Sequence, residues 1–413
     1  MLQKLAFFTT MLPALALAQT SDVPQNVGPF GEAATYELTN VISLQSTFGL
    51  STQRDVTSTA NGGTVGLSGG YLEVKADTQT DSTAALETVD RGQYQPGKGA
   101  EMGMGVRVVT APTGDGVAEW GLGDGDNGAF WRLNGDGDLC VVYERASIEQ
   151  EFCDGALNGR NADSIKPTAG AYVYVIRFNW YGVGGAQWIA YRPNEAFTGT
   201  LQPLVAHTFV PANGQAMEDP NQYIFARVDN GTTTTAVEIE VGGRRYDVQG
   251  KFKPPVRKTH ARRTGVSVGT SYTPVICVRK EDPFPEAGRQ NSINAFFASF
   301  VPQVETEDIT VVYAKVELAD LTDANFVDPP DYDDGNTALE YDISSTAVSD
   351  FTILQGGFTF EAGATSGPNQ GPKLGEDKTE RVDIIRNTPT CALAKTDANT
   401  ATVDATLRVT EEW

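Results

Sequence analysis

The stretch from Glu87 to Asn158 constrains the fold most. Its core reads Glu119-Trp120-Gly121-Leu122-Gly123-Asp124-Gly125-Asp126-Asn127-Gly128-Ala129-Phe130-Trp131-Arg132-Leu133, then Asn134-Gly135-Asp136-Gly137-Asp138, then Leu139-Cys140-Val141-Val142-Tyr143. Short apolar and aromatic runs alternate with Gly, Asp and Asn. Those residues tolerate positive φ where most others do not, so the pattern is that of antiparallel strands joined by tight turns. Asn134-Gly135 and Asp136-Gly137 predict a hairpin between strands 129–133 and 139–143. The same acidic turns could instead hold Ca²⁺ through carboxylate oxygens, with Asp124, Asp126, Asn127, Asp136 and Asp138 as ligands. The spacing lacks the Glu that a full calcium loop places downstream. A turn and a metal site both remain open on these residues.

Helix-period apolar stripes are missing beyond the first 18 residues, while strand signals recur throughout. The class is therefore all-β, and many short strands without intervening helices predict a jelly-roll or lectin-like two-sheet sandwich. At 413 residues, the chain is long enough for more than one core. Residues 1–18 read as a signal-like apolar segment, with Lys4 before an apolar centre and Ala16-Leu17-Ala18 as a cleavage site. It is too short to span a bilayer. Residues 19–80 read as an N-terminal arm and 81–326 as the main sandwich. Residues 327–335, with Pro329-Pro330 and four Asp, read as a linker. Residues 336–413 then form a smaller β domain whose core holds Phe358, Phe360, Ile384 and Leu407. A second hairpin is expected from Tyr172–Trp180 and Gln187–Tyr191.

The formal charge of −22 disfavours nucleic acid and anionic lipid as general partners. The four cysteines, Cys140, Cys153, Cys277 and Cys391, form no CxxC pair, and only His207 and His260 supply imidazole, so zinc is disfavoured. Cys140 and Cys153 flank a hairpin and either bridge it or stay as separate buried thiols. No GxSxG elbow accompanies either histidine, and His207 reads as a structural residue. A surplus of carboxylates gives no signal for a glycosidase pair. Asn230-Gly231-Thr232 is a glycosylation sequon in a predicted turn. Basic residues cluster at Arg244, Arg245, Lys251, Lys253, Arg257, Lys258, Arg262 and Arg263. They read as a solvated loop, as a docking segment for an acidic neighbour, or as a nucleic-acid contact, the last opposed by the net charge.

Seven stretches in order carry a resemblance. They are Glu87-Thr88 with Arg91-Gly92-x-Tyr94-x-Pro96-Gly97; Gly121-x-Gly123-Asp124-x-Asp126-Asn127-Gly128-x-Phe130; Phe178-x-Trp180-Tyr181-Gly182-Val183-Gly184; His207; Asp219-Pro220-Asn221; Val241-Gly242-Gly243-Arg244-Arg245-Tyr246; and Leu407-Arg408-Val409-x-Glu411-Glu412-Trp413. Together they resemble structural proteins of virus particles, best represented in viruses of halophilic archaea and more loosely in phages and large DNA viruses. The resemblance spans roughly residues 85–413 and implies a non-enzymatic virion component: a capsid spike, turret or fibre contributing to assembly and host attachment. Its implied partners are other virion proteins and a host-surface glycan or protein. The polar arm and unpaired sheet edges predict a homo-oligomer, trimer before pentamer. The rival readings are a secreted carbohydrate-binding module and a secreted glycan hydrolase. No cofactor is expected apart from the Ca²⁺ considered above.

Overall fold

The computed structural model describes residues 37–413 apart from 160–164, 166–170, 181–183, 194–200, 213–215, 286, 288, 330–336, 364–381 and 386. The signal-like segment 1–18 and the start of the arm lie outside the described residues.

Strand alternation builds the first sandwich. Along Thr83–Thr88, Ala84, Leu86 and Thr88 are buried while their neighbours are half-exposed, the period of two that a sheet with one packed face demands. One sheet runs in hydrogen-bonded order Leu201–Phe209, Ala186–Pro193, Ala171–Phe178, Ala100–Thr110, Val237–Gln249, Tyr71–Ala76 and Thr64–Ser68, with Leu38–Leu44 also on Val237–Gln249. The facing sheet runs Ile148–Phe152, Leu139–Arg145, Gly128–Asn134, Val117–Gly123, Tyr223–Asp229, Thr83–Thr88 and Asp55–Ala60. Every pairing is antiparallel. Trp120 and Trp131 from one sheet meet Tyr174 from the other, at ring separations of 4.9 and 5.1 Å. Both predicted hairpins form, with Phe130 opposite Val142 and Ile176 opposite Trp188.

The arm expected over 19–80 is, from residue 38 onward, four strands of this sandwich. Its Ser/Thr/Gly-rich composition hid it, because three of those strands lie at sheet edges and bury little.

Residues 250–255, Gly250-Lys251-Phe252-Lys253-Pro254-Pro255, lead into a second sandwich. Its smaller sheet orders Val256–Val268, Ala401–Glu412 and Asn294–Glu305. Its larger sheet orders Phe326–Val327, Leu339–Asp342, Thr273–Lys280, Thr390–Thr396, Ile309–Lys315 and Thr352–Phe360. Phe297, Phe300, Tyr313, Ile384 and Leu407 share its core, with Phe358 and Phe360 packed against it. The domain boundary therefore falls at 250–255, not at 327–335. Strands from 273–315 and from 339–396 alternate in one sheet, and Phe326–Val327 pairs with Leu339–Asp342 across the expected linker. Most of that linker, 330–335, lies outside the described residues. Two prolines stop sheet pairing at either place; only at 254–255 do they separate two cores.

Candidate functional site

Residues from four of the resembling stretches meet at one buried junction between the sandwiches. Arg91 is 1% exposed. Its Nη1 donates to Asp124 Oδ2 at 3.2 Å and to the Asn221 carbonyl at 2.9 Å, and lies 3.8 Å from Asp219. Its Nη2 donates to Gln290 Oε1 of the second sandwich at 3.1 Å, and its guanidinium sits 4.3 Å from the Tyr223 ring centroid. Arg91 and Asn294 exchange main-chain and side-chain bonds, and Gln93 donates to the Glu412 carbonyl at 2.7 Å. Burial opposes the Arg91 charge, but Tyr223, Asp124 and Asp219 outweigh it and hold the guanidinium above its ordinary range. Burial dominates at Asp219 and raises it despite Arg91. Nearby Lys280 is 5% exposed, and burial lowers it against the pull of Tyr223 and Asp90.

Aromatic motif residues pack beside this charge cluster. Tyr94 lies 6.0 Å from both Phe178 and Trp180, and Phe178 lies 6.3 Å from Tyr246. Gly92 is required here: a Cβ would fall 2.3 Å from the Tyr246 ring. Asn221 Oδ1 accepts from the Tyr94 N–H at 2.9 Å, and Asn127 Oδ1 accepts from the Glu218 N–H at 2.8 Å. His207 stacks on Phe152 at 4.4 Å and accepts the Asn158 N–H at Nδ1, away from any nucleophile among its described contacts. The bonds of Arg91, Gln93, Gln290 and Asn294 across the junction fix one sandwich on the other.

The five candidate calcium ligands are not brought together. Asp124, Asp126 and Asn127 sit before the strand Gly128–Asn134, and Asp136 and Asp138 after it, about 20 Å apart at the ordinary rise per strand residue. Asp124 Oδ1 accepts the N–H groups of Asp126 and Asn127, and its other oxygen meets Arg91. Asp126 accepts from Ser147, while Asn134 Oδ1, not an Asp, closes the second turn by accepting from Asp136 and Asp138. These are turn carboxylates and amides. The described residues gather three metal-capable side chains at Cys140, Glu151 and Cys153, but the two sulfurs are bonded to each other and have no thiolate to offer. Cys140–Cys153 and Cys277–Cys391 are both disulfides. Sequence reasoning missed the second, since its cysteines are 114 residues apart and meet only through the register of neighbouring strands.

The basic cluster divides. Arg244 is 3% exposed and paired with Asp55. Arg245 pairs with Glu101 and Asp247. Arg263 donates to the carbonyls of Pro274 and Ser345, and Arg257 covers the Trp413 ring at 4.9 Å. These four are structural. Lys251, Lys253, Lys258 and Arg262 are exposed on the connector and on Val256–Val268, the rim strand of the smaller sheet. Charge on an edge strand discourages unwanted pairing. Asn230 of the sequon is fully buried and donates to the carbonyls of Asp77 and Gln79, so it marks a structural turn and not an exposed tip.

A second polar group covers the outer face of the seven-stranded sheet. Buried Glu119 accepts from Arg132 at 2.5 Å and from Arg227, and Arg132 also bonds Glu149 at 2.7 Å. Phe130 and Phe225 meet edge-on at 5.5 Å beneath the two arginines. Gly121, at φ +156°, leaves room for them: a Cβ would lie 2.6 Å from the Phe130 Cα. Replacing Gly121 with alanine is expected to cost several kcal/mol, about the range of overpacking plus backbone strain. A melting point within about 2 °C of the parent would refute that reading. This face was not singled out from sequence, because its residues alternate one by one along four strands.

Glu144, on the same face, is raised to about 7 by burial and then by Glu149, against Arg227. Its folded value lies above its unfolded one, so the folded chain holds the extra proton between about pH 4.5 and 7. Stability from this group is present below that window and is lost as pH rises through it. Glu144→Gln should reduce the pH dependence between pH 5 and 8 and stabilise the chain at pH 8 by about 1–2 kcal/mol, after discounting for solvent screening. Urea melts of both forms at pH 5 and 8 check it; equal pH slopes would reject the assignment.

No family model and no curated protein matches the sequence. Among solved structures, a legume lectin-like domain from Entamoeba histolytica is 11% identical, covering 51% of this chain and 98% of that one at a TM-score of 0.33. A beta-1,3-glucanase from Mycobacterium marinum is 12% identical, covering 50% and 98% at 0.34. The exoplasmic/lumenal domain of VIP36, in a Ca²⁺/Man3GlcNAc-bound form, is 11% identical, covering 53% and 92% at 0.36. Scores this low carry no argument about site, ligand or activity. The fold itself is all-β, two antiparallel sandwiches on the strand orders given above.

Proposed function

We propose that this chain is a non-enzymatic structural protein exposed on the surface of a virus particle. One observation carries the reading. Arg91, Asp124, Asp219 and Glu412, drawn from four of the seven resembling stretches, bond across the two sandwiches, while Tyr94, Asn127, Phe178, Trp180, Asn221 and Tyr246 pack or bond within the first. Two disulfides fit an extracellular particle or secretion equally. Assembly as a homo-oligomer, trimer before pentamer, with other virion proteins, belongs to the same proposal. The test is proteomics and immunogold labelling of purified particles from a producing culture. Label on the particle surface is expected; the chain free in supernatant, with none on particles, would sink the reading.

The outer face of the seven-stranded sheet favours a second reading, a secreted glycan-binding module. Arg132 and Arg227, laid over the buried rings of Phe130 and Phe225, and the part-exposed carboxylates of Glu149 and Glu151 are groups that can hold a sugar's hydroxyls. A glycan array with the parent and Arg227→Ala separates the two: binding lost in the variant supports this site, and no binding removes it.

A further inference from the structure

The eight-stranded sheet of the first sandwich ends on Thr64–Ser68, a rim strand without a charge or a proline. Other rims are guarded: Ile148–Phe152 carries two Glu, Val256–Val268 carries Lys and Arg, and Asn294–Glu305 carries Pro302 and Glu305. Thr352–Phe360 also lacks a charge, but Gln53 donates to its Leu354 carbonyl. Among the described residues, no strand pairs with the outer side of Thr64–Ser68. Its bonding pattern follows from its turn. Ser68 pairs with Tyr71 around Gly69 and Gly70, both at positive φ, which is a two-residue hairpin loop. Such a turn bonds its first residue to its fourth, and antiparallel pairs then alternate, so Gly66–Glu73 and Thr64–Lys75 are the next bonded pairs. The N–H and C=O groups of Val65 and Leu67 therefore point outward from the rim. Their side chains lie opposite Val74 and Leu72, both fully buried, and so share the core face. Yet Leu67 is 56% exposed, and it borders the turn that carries Phe48, itself 76% exposed: a Cβ on Gly49 would fall 3.9 Å from the Leu67 Cδ2. The core is open at this rim.

We propose that a second copy of this chain closes it, with Thr64–Ser68 pairing antiparallel with itself about a two-fold axis at Gly66. That register sets Val65 of each copy opposite Leu67 of the other, so the outward donors and acceptors meet in two reciprocal pairs of backbone hydrogen bonds. Gly66 meets its twin at the non-bonded position, where backbones come closest, at about 4.5 Å. No side chain stands between them, and the space at the Gly66 Cβ is open. A slip of one residue would set outward groups against inward ones and turn Leu67 to the wrong face. In the two-fold register Leu67 of each copy packs on Val65 of the other, the apolar contact that the rim lacks. The proposal does not rest on the virion reading, since a two-fold contact joins free chains and closed rings alike.

The test is light scattering on the full chain at about 100 µM, above the range of micromolar affinity. The parent is expected at twice the mass of Leu67→Pro and of Leu67→Lys. The proline removes an outward N–H that the hairpin itself does not use, and the lysine places a charge on the rim. Leu318→Lys, at a comparably exposed leucine of the second sandwich, should keep the parent's mass. All four cysteines are in disulfides, so Gly66→Cys places one thiol on the axis and should give a chain-to-chain disulfide on non-reducing gels, while Thr64→Cys should not. The cross-link decides the matter if melting curves show either Leu67 variant unfolded. Equal mass for the parent and both folded Leu67 variants overturns the proposal, as does cross-linking by Thr64→Cys without cross-linking by Gly66→Cys. If the parent gains mass only once residues 1–36 are removed, the chain's own N-terminal segment occupies this rim and the two-fold reading fails.

Discussion

Replacing Arg91 with alanine is expected to cost about 3–5 kcal/mol, the usual consequence of removing one partner from a buried charge pair. Asp124 and Asp219 would keep their carboxylates in a site without a cation, and Gln290 would lose its donor. Because Arg91 bonds groups in both sandwiches, the loss should appear twice. The denaturation midpoint should fall, and one cooperative transition should split into two as each sandwich unfolds alone. Arg91→Lys keeps the charge but not the planar fork, and should recover only part of the loss. Guanidinium melts followed by tryptophan fluorescence would measure both effects. A loss under 1 kcal/mol with a single transition would show that the junction is decorative.

Removing the Cys277–Cys391 bridge should cost about 4–5 kcal/mol, against about 3 kcal/mol for Cys140–Cys153, because the chain-entropy cost follows the loop each closes. Those loops differ by a sequence separation of 114 against 13. Paired alanine replacements and calorimetry give the comparison. The Cys277/Cys391 variant should melt lower and lose the second sandwich first; an equal or reversed order would mean that strain or denatured-state structure outweighs loop entropy.

Local chemistry was readable and long-range pairing was not. The hairpins around Asn134-Gly135 and after Trp180 announced themselves through turn residues flanked by alternating apolar runs, and the β-sandwich class followed from their repetition. The domain division was misplaced because Pro329-Pro330 and Pro254-Pro255 carry the same backbone signal; which pair lies between cores depends on where Thr390–Thr396 and Leu339–Asp342 dock. Cys277 and Cys391 gave no local hint of each other. In the junction, the motif residues were visible as a set, but their role was not. Asp124 looks like a metal ligand until Arg91, 33 positions earlier, is seen to occupy one of its oxygens. Three of the eight basic residues, Arg244, Arg257 and Arg263, turn inward for the same reason: their acceptors and covering ring lie far along the chain.

The strand Ala401–Glu412 is central in the smaller sheet, bonded to Val256–Val268 on one side and Asn294–Glu305 on the other. Its Glu411 carboxylate accepts from Thr259, Thr337 and the Ala338 N–H. On the ribosome, the two halves of this protein therefore face different waits. The first sandwich has all its strands once residue 249 has cleared the exit tunnel. The second holds two long edges apart until the strand between them is made, some 150 residues later at about 5–20 residues per second. For those seconds the unpaired edges are exposed to other nascent chains, and a chaperone that delays their pairing would act on this half alone.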